Sequence, residues 1–563
     1  MKIAFLLVPI LFSGMVFACR RAQFAELVLK NGFIFTVDPG NPRAQAVAVA
    51  GNTILAVGPD REVEKFVRPG VTQVIDLQGR MVVPGFDDAH IHFLETGETL
   101  AGLNLTGITS YGRMKEIVVA CVKNSRPGEW ITGFGWDQSL IQEKAWPTKE
   151  ILDQAAPENP VLLSRIDGHS VLVNSRALKE CGITRDTPDP EGGEIVRDEA
   201  TGEPTGIFKE KALELVQEPP LSPEEKEVRN IRYLRLALKE AKKYGVTSIH
   251  HLLEGGECFE QLQKSGELTV RVYLCQPLTD DREKLEEYKA LKRGYENNPL
   301  IKFGALKAFM DGTLSSQTAA LFEPFSDNQS TCGVLVTSPL ELEEKILLAD
   351  REGFQCAVHA IGTRANHLVL DAYEKVIEQN GKRDSRHRIE HVSVLIKEDV
   401  PRFAGLGVIA SMQPSFCSTD ARYIEKSLGR ERCRYAFAWR SILSSGGRIA
   451  FSTDCPVESM DPMDGLWAAV TRQDRTKEGR EGWFPEERLT VEEALELYTL
   501  GSAYASFEEN IKGSIQPGKL ADLVVLSNNL LEIPENEIRE TKVLYTIFDG
   551  KIIYQNNHLT GKE

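Results

Sequence analysis

Asp88-Ala89-His90-Ile91-His92 sets two imidazoles two residues apart, directly behind the apolar run Met81-Val82-Val83-Pro84-Gly85-Phe86. Residues two apart in an extended chain share a face. His90 and His92 can therefore turn two neutral nitrogens toward one metal ion. Alone, such a pair reads more readily as one core histidine and one exposed one. Later parts of the chain change that balance. Lys307 and then Asp311 fall where the apolar stretch 303–309 stops, His359 where 355–360 stops, His391 at the end of 388–392, and Asp454 behind 448–452. Four of the ten histidines thus sit at the ends of apolar runs, joined by one late aspartate.

Those runs read as strands. They cover 246–251, 270–275, 303–309, 355–360, 388–392, 408–412 and 448–452, and the strand before His90 makes eight. Amphipathic segments of helical period lie between them, for example 339–353, 364–379 and 431–446. Eight strand–helix units predict an α/β chain folded as a (β/α)8 TIM-type barrel, its parallel sheet buried on both faces. Chemistry in such a barrel is carried at the C-terminal strand ends, where the histidines fall. Residues 25–80 and 513–557 hold short strands broken by turns, with Asp549-Gly550 as a hairpin turn. They predict one small composite β-sandwich domain built from both ends, and the barrel domain then spans 81–512. Between its first two strands lie residues 95–240, too many for a loop. They are expected to form an inserted lobe over the barrel mouth.

The chain has 563 residues, 42% hydrophobic and 26% charged, with a formal charge of −16. That suits a soluble globular protein and excludes the basic face that a nucleic-acid partner requires. Lys2 precedes the uncharged stretch 3–17, which has the length of a secretion signal's apolar region. Val16-Phe17-Ala18-Cys19 resembles a lipoprotein cleavage box. Residues 1–19 are therefore expected to be a leader, with a lipid anchor at Cys19 as the only membrane contact. An ordinary cleavage site near Ala18 is the alternative. The expected location is the cell envelope, as a bacterial lipoprotein or a periplasmic protein. The other nine cysteines form no CxxC pair and read as thiols, which fits the cytoplasmic alternative better. Oligomeric state stays open, a homodimer included.

Several motifs together resemble the amidohydrolase superfamily, and more narrowly its YtcJ-like (amidohydrolase 3) group. Pro84-Gly-Phe-Asp-Asp-Ala-His-Ile-His92 is similar to the first-strand motif, and Gly133-Phe-Gly-Trp-Asp137 and Asp167-Gly-His-Ser170 to the group's inserted lobe. Lys307-Ala-Phe-Met-Asp-Gly312, Val358-His-Ala-Ile-Gly362, Arg388-Ile-Glu-His391, Ser411-Met-Gln-Pro414 and Ser452-Thr-Asp-Cys-Pro456 resemble its later strands. Gly513 to Leu523 looks like the return into the small domain, and Thr363 departs from the acidic residue frequent there.

The resemblance implies roles. His90 and His92 would hold one divalent metal ion, zinc being the expected one. His359 and His391 would hold a second ion, or assist a single one. Lys307 would be N-carboxylated and bridge; its alternative is a salt bridge to Asp311. Asp454 would ligate the first ion and serve as general base. The chemistry is self-consistent. A bare ammonium has only donors and cannot bind a cation, whereas a carbamate can. A divalent ion lowers the pKa of bound water to about 7. The resulting hydroxide attacks a carbonyl, Asp454 carries the proton to the leaving nitrogen, and the ion polarises the oxygen. The implied activity is hydrolysis of a non-peptide carbon–nitrogen bond in a small molecule: an amide, formamide or cyclic amide. Alternatives are an ester or lactone hydrolase on the same site, and a non-catalytic ligand-binding surface lipoprotein. Substrate contacts are expected from Trp136, His169, Asp311 and Gln413. His250 or His251 could face the mouth. Glu390 should point opposite to His391 in a regular strand and reads as structural.

Overall fold

A computed structural model describes residues 24–557 apart from 124, 144, 218–220, 254 and 476–481. The leader and Cys19 lie outside the described residues. At the centre is a barrel of eight strands: β1 (Phe86–Ile91), β2 (Val246–Leu252), β3 (Arg271–Pro277), β4 (Ile301–Phe309), β5 (Gln355–Ala360), β6 (Arg388–His391), β7 (Ile409–Met412) and β8 (Arg448–Phe451). Their order in the sheet is their order in the chain. Each neighbouring pair is parallel, with Lys307 opposite Ala357 and His359 opposite Glu390. Every residue of β1, β2, β5, β6 and β7 is buried. Helices cover the outer face and side chains fill the interior, so these strands read as unbroken apolar runs.

The seam between β8 and β1 closes through the site itself. Asp454 N–H donates to His90 O at 2.9 Å and His92 N–H to Cys455 O at 3.0 Å. The Asp88 carboxylate accepts from Thr453 N–H at 3.0 Å and from the Thr453 hydroxyl.

The apolar run before His90 is divided. Met81–Pro84 is not barrel strand: it pairs with Phe33–Phe35 and with Leu523–Leu526 in a six-stranded sheet. The barrel begins at Phe86. Gly85 makes the crossover, because a Cβ there would lie 2.0 Å from Thr247 Oγ1. The six-stranded sheet faces a four-stranded one, and both chain ends fill the core between them with Leu27, Val47, Ile34, Leu523, Val525 and Leu544.

Outer helices follow their caps. Pro339–Arg351 starts with Ser338 accepting from Glu341 N–H at 3.3 Å and proline in the first turn. The helix expected over 431–446 is instead a 3-10 turn, Glu431–Tyr435, and a short helix, Trp439–Ser444. Phe437 between them has φ 46°, and the Arg472 guanidinium takes the Phe437 and Ala436 carbonyls at 2.8 and 3.1 Å. A buried cation has replaced the helical bonds.

The insertion between β1 and β2 builds its own sheet, running from Gly193–Arg197 through Pro204–Glu210, Ser170–Val173, Val161–Arg165 and Ile131–Trp136 to Leu103–Asn104. It has apolar cores of its own. The chain leaves the barrel through the helix Phe93–Ala101, which starts at His92. It returns through Pro223–Lys243, opened by a Ser222/Glu225 capping box. Among the described residues, no helix is long and apolar enough to cross a membrane.

Candidate metal centre and active site

One donor atom each from His90, His391 and Asp454 lies within 4.8 Å of the other two, and all three residues are buried. Asp454 Oδ1 stands 3.2 Å from His90 Nε2 and 3.4 Å from His92 Nε2, and Oδ2 is 3.9 Å from His391 Nδ1. His359 packs on His391 with ring centroids 4.5 Å apart. Lys307 is 3% exposed, and its ammonium lies 5.0 Å above the Phe309 ring. Burial pulls that ammonium down to about 8. Asp454 Oδ1 is buried without a well-formed hydrogen bond. A converging set of imidazoles around an unsatisfied carboxylate oxygen is what a divalent cation satisfies, so these residues fit such an ion.

The electrostatics suit ligands. Burial holds His391 at about 3 and His359 well below its ordinary value. Both are therefore neutral and keep a lone pair. Burial would raise the Asp454 carboxyl, but His90, His92 and His391 around it hold it well below the usual carboxylate range. His391 and His90 each also have a hydrogen-bond partner on Nδ1. His391 Nδ1–H donates to Gln413 Oε1 at 2.8 Å, and His90 Nδ1–H to Glu390 Oε2 at 2.6 Å. These tautomers are assigned from the hydrogen-bond network.

Strained backbone aims the side chains. His391, Val392 and Asp454 have φ of 75°, 49° and 58°, in the left-handed region where a non-glycine residue costs about 1–3 kcal/mol. The turn at His391 breaks strand alternation, so Glu390 and His391 both face the interior. Glu390 therefore does not point away as a regular strand requires. Its Oε1 also accepts from Arg388 Nε at 2.7 Å. A carboxylate directly before the strand-end histidine, with an arginine two residues earlier, was the available signal.

A cavity of about 1100 Å³ opens above these groups, at the top of the size range of small-molecule sites. His90, His92, Lys307, His359, His391 and Asp454 all line it from the barrel, and Phe134, Arg165, Asp167 and His169 line it from the lobe. His169 is tied through Nδ1 to Glu210 Oε2 at 2.9 Å, while its backbone N–H donates to Asp167 at 3.1 Å. Asp167 in turn pairs with Arg165.

Three expected substrate contacts do not line the cavity. Trp136 is 0% exposed in the lobe core, its indole N–H donating to Leu163 O at 2.8 Å. Asp311 accepts from the backbone N–H of Ala320, Ile361 and Gly362 at 2.8, 3.0 and 2.8 Å, clamping β4 to the end of β5. No ion pair joins it to Lys307 among the described residues. Gln413 orients His391 and donates to Ser452 Oγ at 2.9 Å. His250 and His251 are fully buried beneath the cavity: His250 Nδ1 accepts from Arg388 Nη1 at 2.7 Å and His251 Nδ1 from Phe93 N–H at 3.2 Å.

The sequence profile of the amidohydrolase family matches residues 73–554. A putative amidohydrolase, YtcJ, of Bacillus subtilis is 34% identical over 94% of this chain and 100% of its own. The N-substituted formamide deformylase of Arthrobacter pascens is 30% identical, covering 95% of this chain and 99% of its own. The crystal structure of an uncharacterized metal-dependent hydrolase from Pyrococcus furiosus superposes with a TM-score of 0.72 at 30% identity, over 90% of this chain and 100% of that one.

Proposed function

The chain belongs to the amidohydrolase family of metal-dependent hydrolases, and from that premise we propose that it hydrolyses a non-peptide carbon–nitrogen bond of a small molecule: an amide, formamide or cyclic amide. The observation that carries the reading is the convergence on one cavity of six side chains, His90, His92, Lys307, His359, His391 and Asp454, from five separate strand ends.

In this reading His90, His92 and Asp454 hold one cation, zinc being the proposed ion, and His359 and His391 hold or assist a second. Lys307 would join them as a carbamate; burial of its amine, with no ion pair to Asp311, raises the share of the neutral form that reacts with carbon dioxide. When bound, a divalent cation supplies Lewis acidity and brings the pKa of a coordinated water to about 7. Asp454 takes the proton released during attack on the carbonyl and passes it to the departing nitrogen. Glu390 and Gln413 hold the imidazoles in register while this happens. His169, tied to Glu210, lines the same cavity from the lobe, which supports a role for it in holding the polar end of the substrate. Phe134, Leu162 and Phe416 line its walls and exclude water from the apolar part of the ligand.

The cavity has room for a substituent far larger than a formyl group. One relative is named for N-substituted formamides, so these head the panel. The test pairs metal analysis of the purified chain with hydrolysis assays on N-substituted formamides, other amides, cyclic amides, esters and lactones. The expected result is amine release that needs the metal and is abolished by a chelator. A metal-loaded chain that cleaves only esters and lactones would overturn the carbon–nitrogen reading.

A further inference from the structure

The two buried imidazoles grouped with Asp454 lean on different partners. His391 has a neutral one, the amide oxygen of Gln413 at 2.8 Å. His90 has an anionic one, Glu390, at 2.6 Å. Glu390 is itself held by Arg388 Nε at 2.7 Å. The guanidinium spends its other donors on the Ala89 carbonyl at 2.7 Å, on Ser411 Oγ at 3.4 Å and on His250 Nδ1 at 2.7 Å. Below His250 the chain of polar groups continues. His250 Nε2 stands 3.5 Å from Asp87 Oδ1, Asp87 Oδ2 is 3.0 Å from Lys512 Nζ, and Lys512 pairs with Glu508 at 2.9 Å. Glu390, Arg388 and His250 are 0% exposed. The column thus runs from the metal site through the barrel interior to Lys512, next to the segment that returns to the small domain.

Burying a carboxylate and a guanidinium is costly, and apolar residues of similar volume would pack a barrel at least as well. The geometry assigns this pair a task beyond packing. A carboxylate that accepts the Nδ1 proton of a ligating histidine fixes the tautomer, turns Nε2 toward the cation and raises its basicity. An amide can do the first two but lends little charge.

We propose that Glu390, clamped by Arg388, is the positioning residue that makes His90 the dominant donor of the metal centre, so that cation affinity is set from inside the barrel and not only by the groups that touch the ion. The inference rests on the metal-hydrolase reading above and adds to it which ligand leads and what makes it lead.

The experiment measures zinc dissociation constants by chelator competition, and the visible spectrum of the cobalt(II) form, for the unmodified chain, Glu390→Gln and Gln413→Ala. Glu390→Gln keeps the shape and a hydrogen-bond acceptor and removes the charge. It is expected to weaken zinc binding about 10–100-fold and to shift the cobalt bands, with Gln413→Ala weakening binding less. A purely structural role would lower the melting temperature of the metal-free protein and leave the dissociation constant of the folded fraction unchanged. That result would overturn the proposal, as would Gln413→Ala costing more affinity than Glu390→Gln. Should Glu390→Gln not fold, the unmodified cobalt form still decides. The buried His90 Nδ1–H should give a hyperfine-shifted proton signal that persists in heavy water, and its absence overturns the assignment. Failure of the underlying reading has a separate signature: the unmodified chain would take up no divalent cation at all.

Discussion

Replacing Gly97 with alanine sets two effects against each other, and the structure decides which wins. Gly97 lies inside the helix Phe93–Ala101. In an exposed helix interior, alanine is worth about 0.5–1 kcal/mol over glycine, so propensity alone predicts a more stable protein. Here the new Cβ would fall 1.9 Å from the Tyr233 carbonyl oxygen and 2.3 Å from its carbon. Both are backbone atoms of the helix Pro223–Lys243, which no rotamer change can move aside. Reaching ordinary contact demands about 1.5 Å of separation between the two helices. Overpacking of this kind costs about 1–3 kcal/mol or more, which exceeds the propensity gain. The helix begins at His92, so the displacement is delivered to a residue of the proposed metal site, and a misplacement of about 1 Å near the chemistry costs on the order of 100-fold in rate. Gly97→Ala should therefore melt earlier than the parent in differential scanning fluorimetry. It should lose on the order of 100-fold in kcat/KM on whichever substrate the parent hydrolyses. A variant as stable as the parent, with undiminished activity, would refute the claim that this crossing positions the site.

Asp454→Asn should fold, retain part of its metal and lose about 100- to 10,000-fold in kcat, the span assigned to a positioned acid–base group; full activity would remove Asp454 as the base. Lys307→Ala should bind fewer ions per chain than the parent by metal analysis. The intact parent, sprayed under gentle conditions, should carry the mass of one carbon dioxide that the variant lacks, and equal metal content would end the bridging role. Asp350 supplies a pH test away from the site. Burial would raise its carboxyl, but His387, Asn380 and Arg383 bring it down to about 2, below the ordinary carboxylate value of about 3.9. A depressed folded pKa stabilises above the unfolded value and ceases to do so as pH falls through the folded one, so about 2–3 kcal/mol should vanish between about pH 4 and pH 2. Asp350→Asn should flatten that part of the stability–pH curve measured by urea unfolding, and an unchanged acid limb would exclude the contribution.

The barrel was legible in the chain because burial on both faces leaves no polar alternation to blur its strands. β5 matches its apolar run residue for residue, and the other six runs fall within two residues of β2, β3, β4, β6, β7 and β8. The ligand candidates were legible for a related reason: a polar residue ending such a run has to face the mouth or a partner. Features the pattern did not reveal share one property, that they depend on atoms distant in sequence. The run 81–86 is apolar throughout, yet Leu523–Leu526 claims its first part for another sheet and Thr247 forces the break at Gly85. The period of 431–446 is helical, but Arg472 takes the carbonyls a helix needs at Ala436 and Phe437. Trp136 looked like a pocket wall from its motif and is lobe core, because Leu163 accepts its indole proton. Glu390 is the instructive case. A two-residue period assumes regular dihedrals, and His391 at φ 75° violates them. Glu390 shares the inner face with Arg388 by ordinary alternation, and the strain turns His391 toward that same face. A side chain that supports the proposed metal ligands can thus be misplaced by a regular pattern that locates the ligands themselves, and left-handed non-glycine residues at strand ends, as at His391 and Asp454, mark where to distrust the pattern.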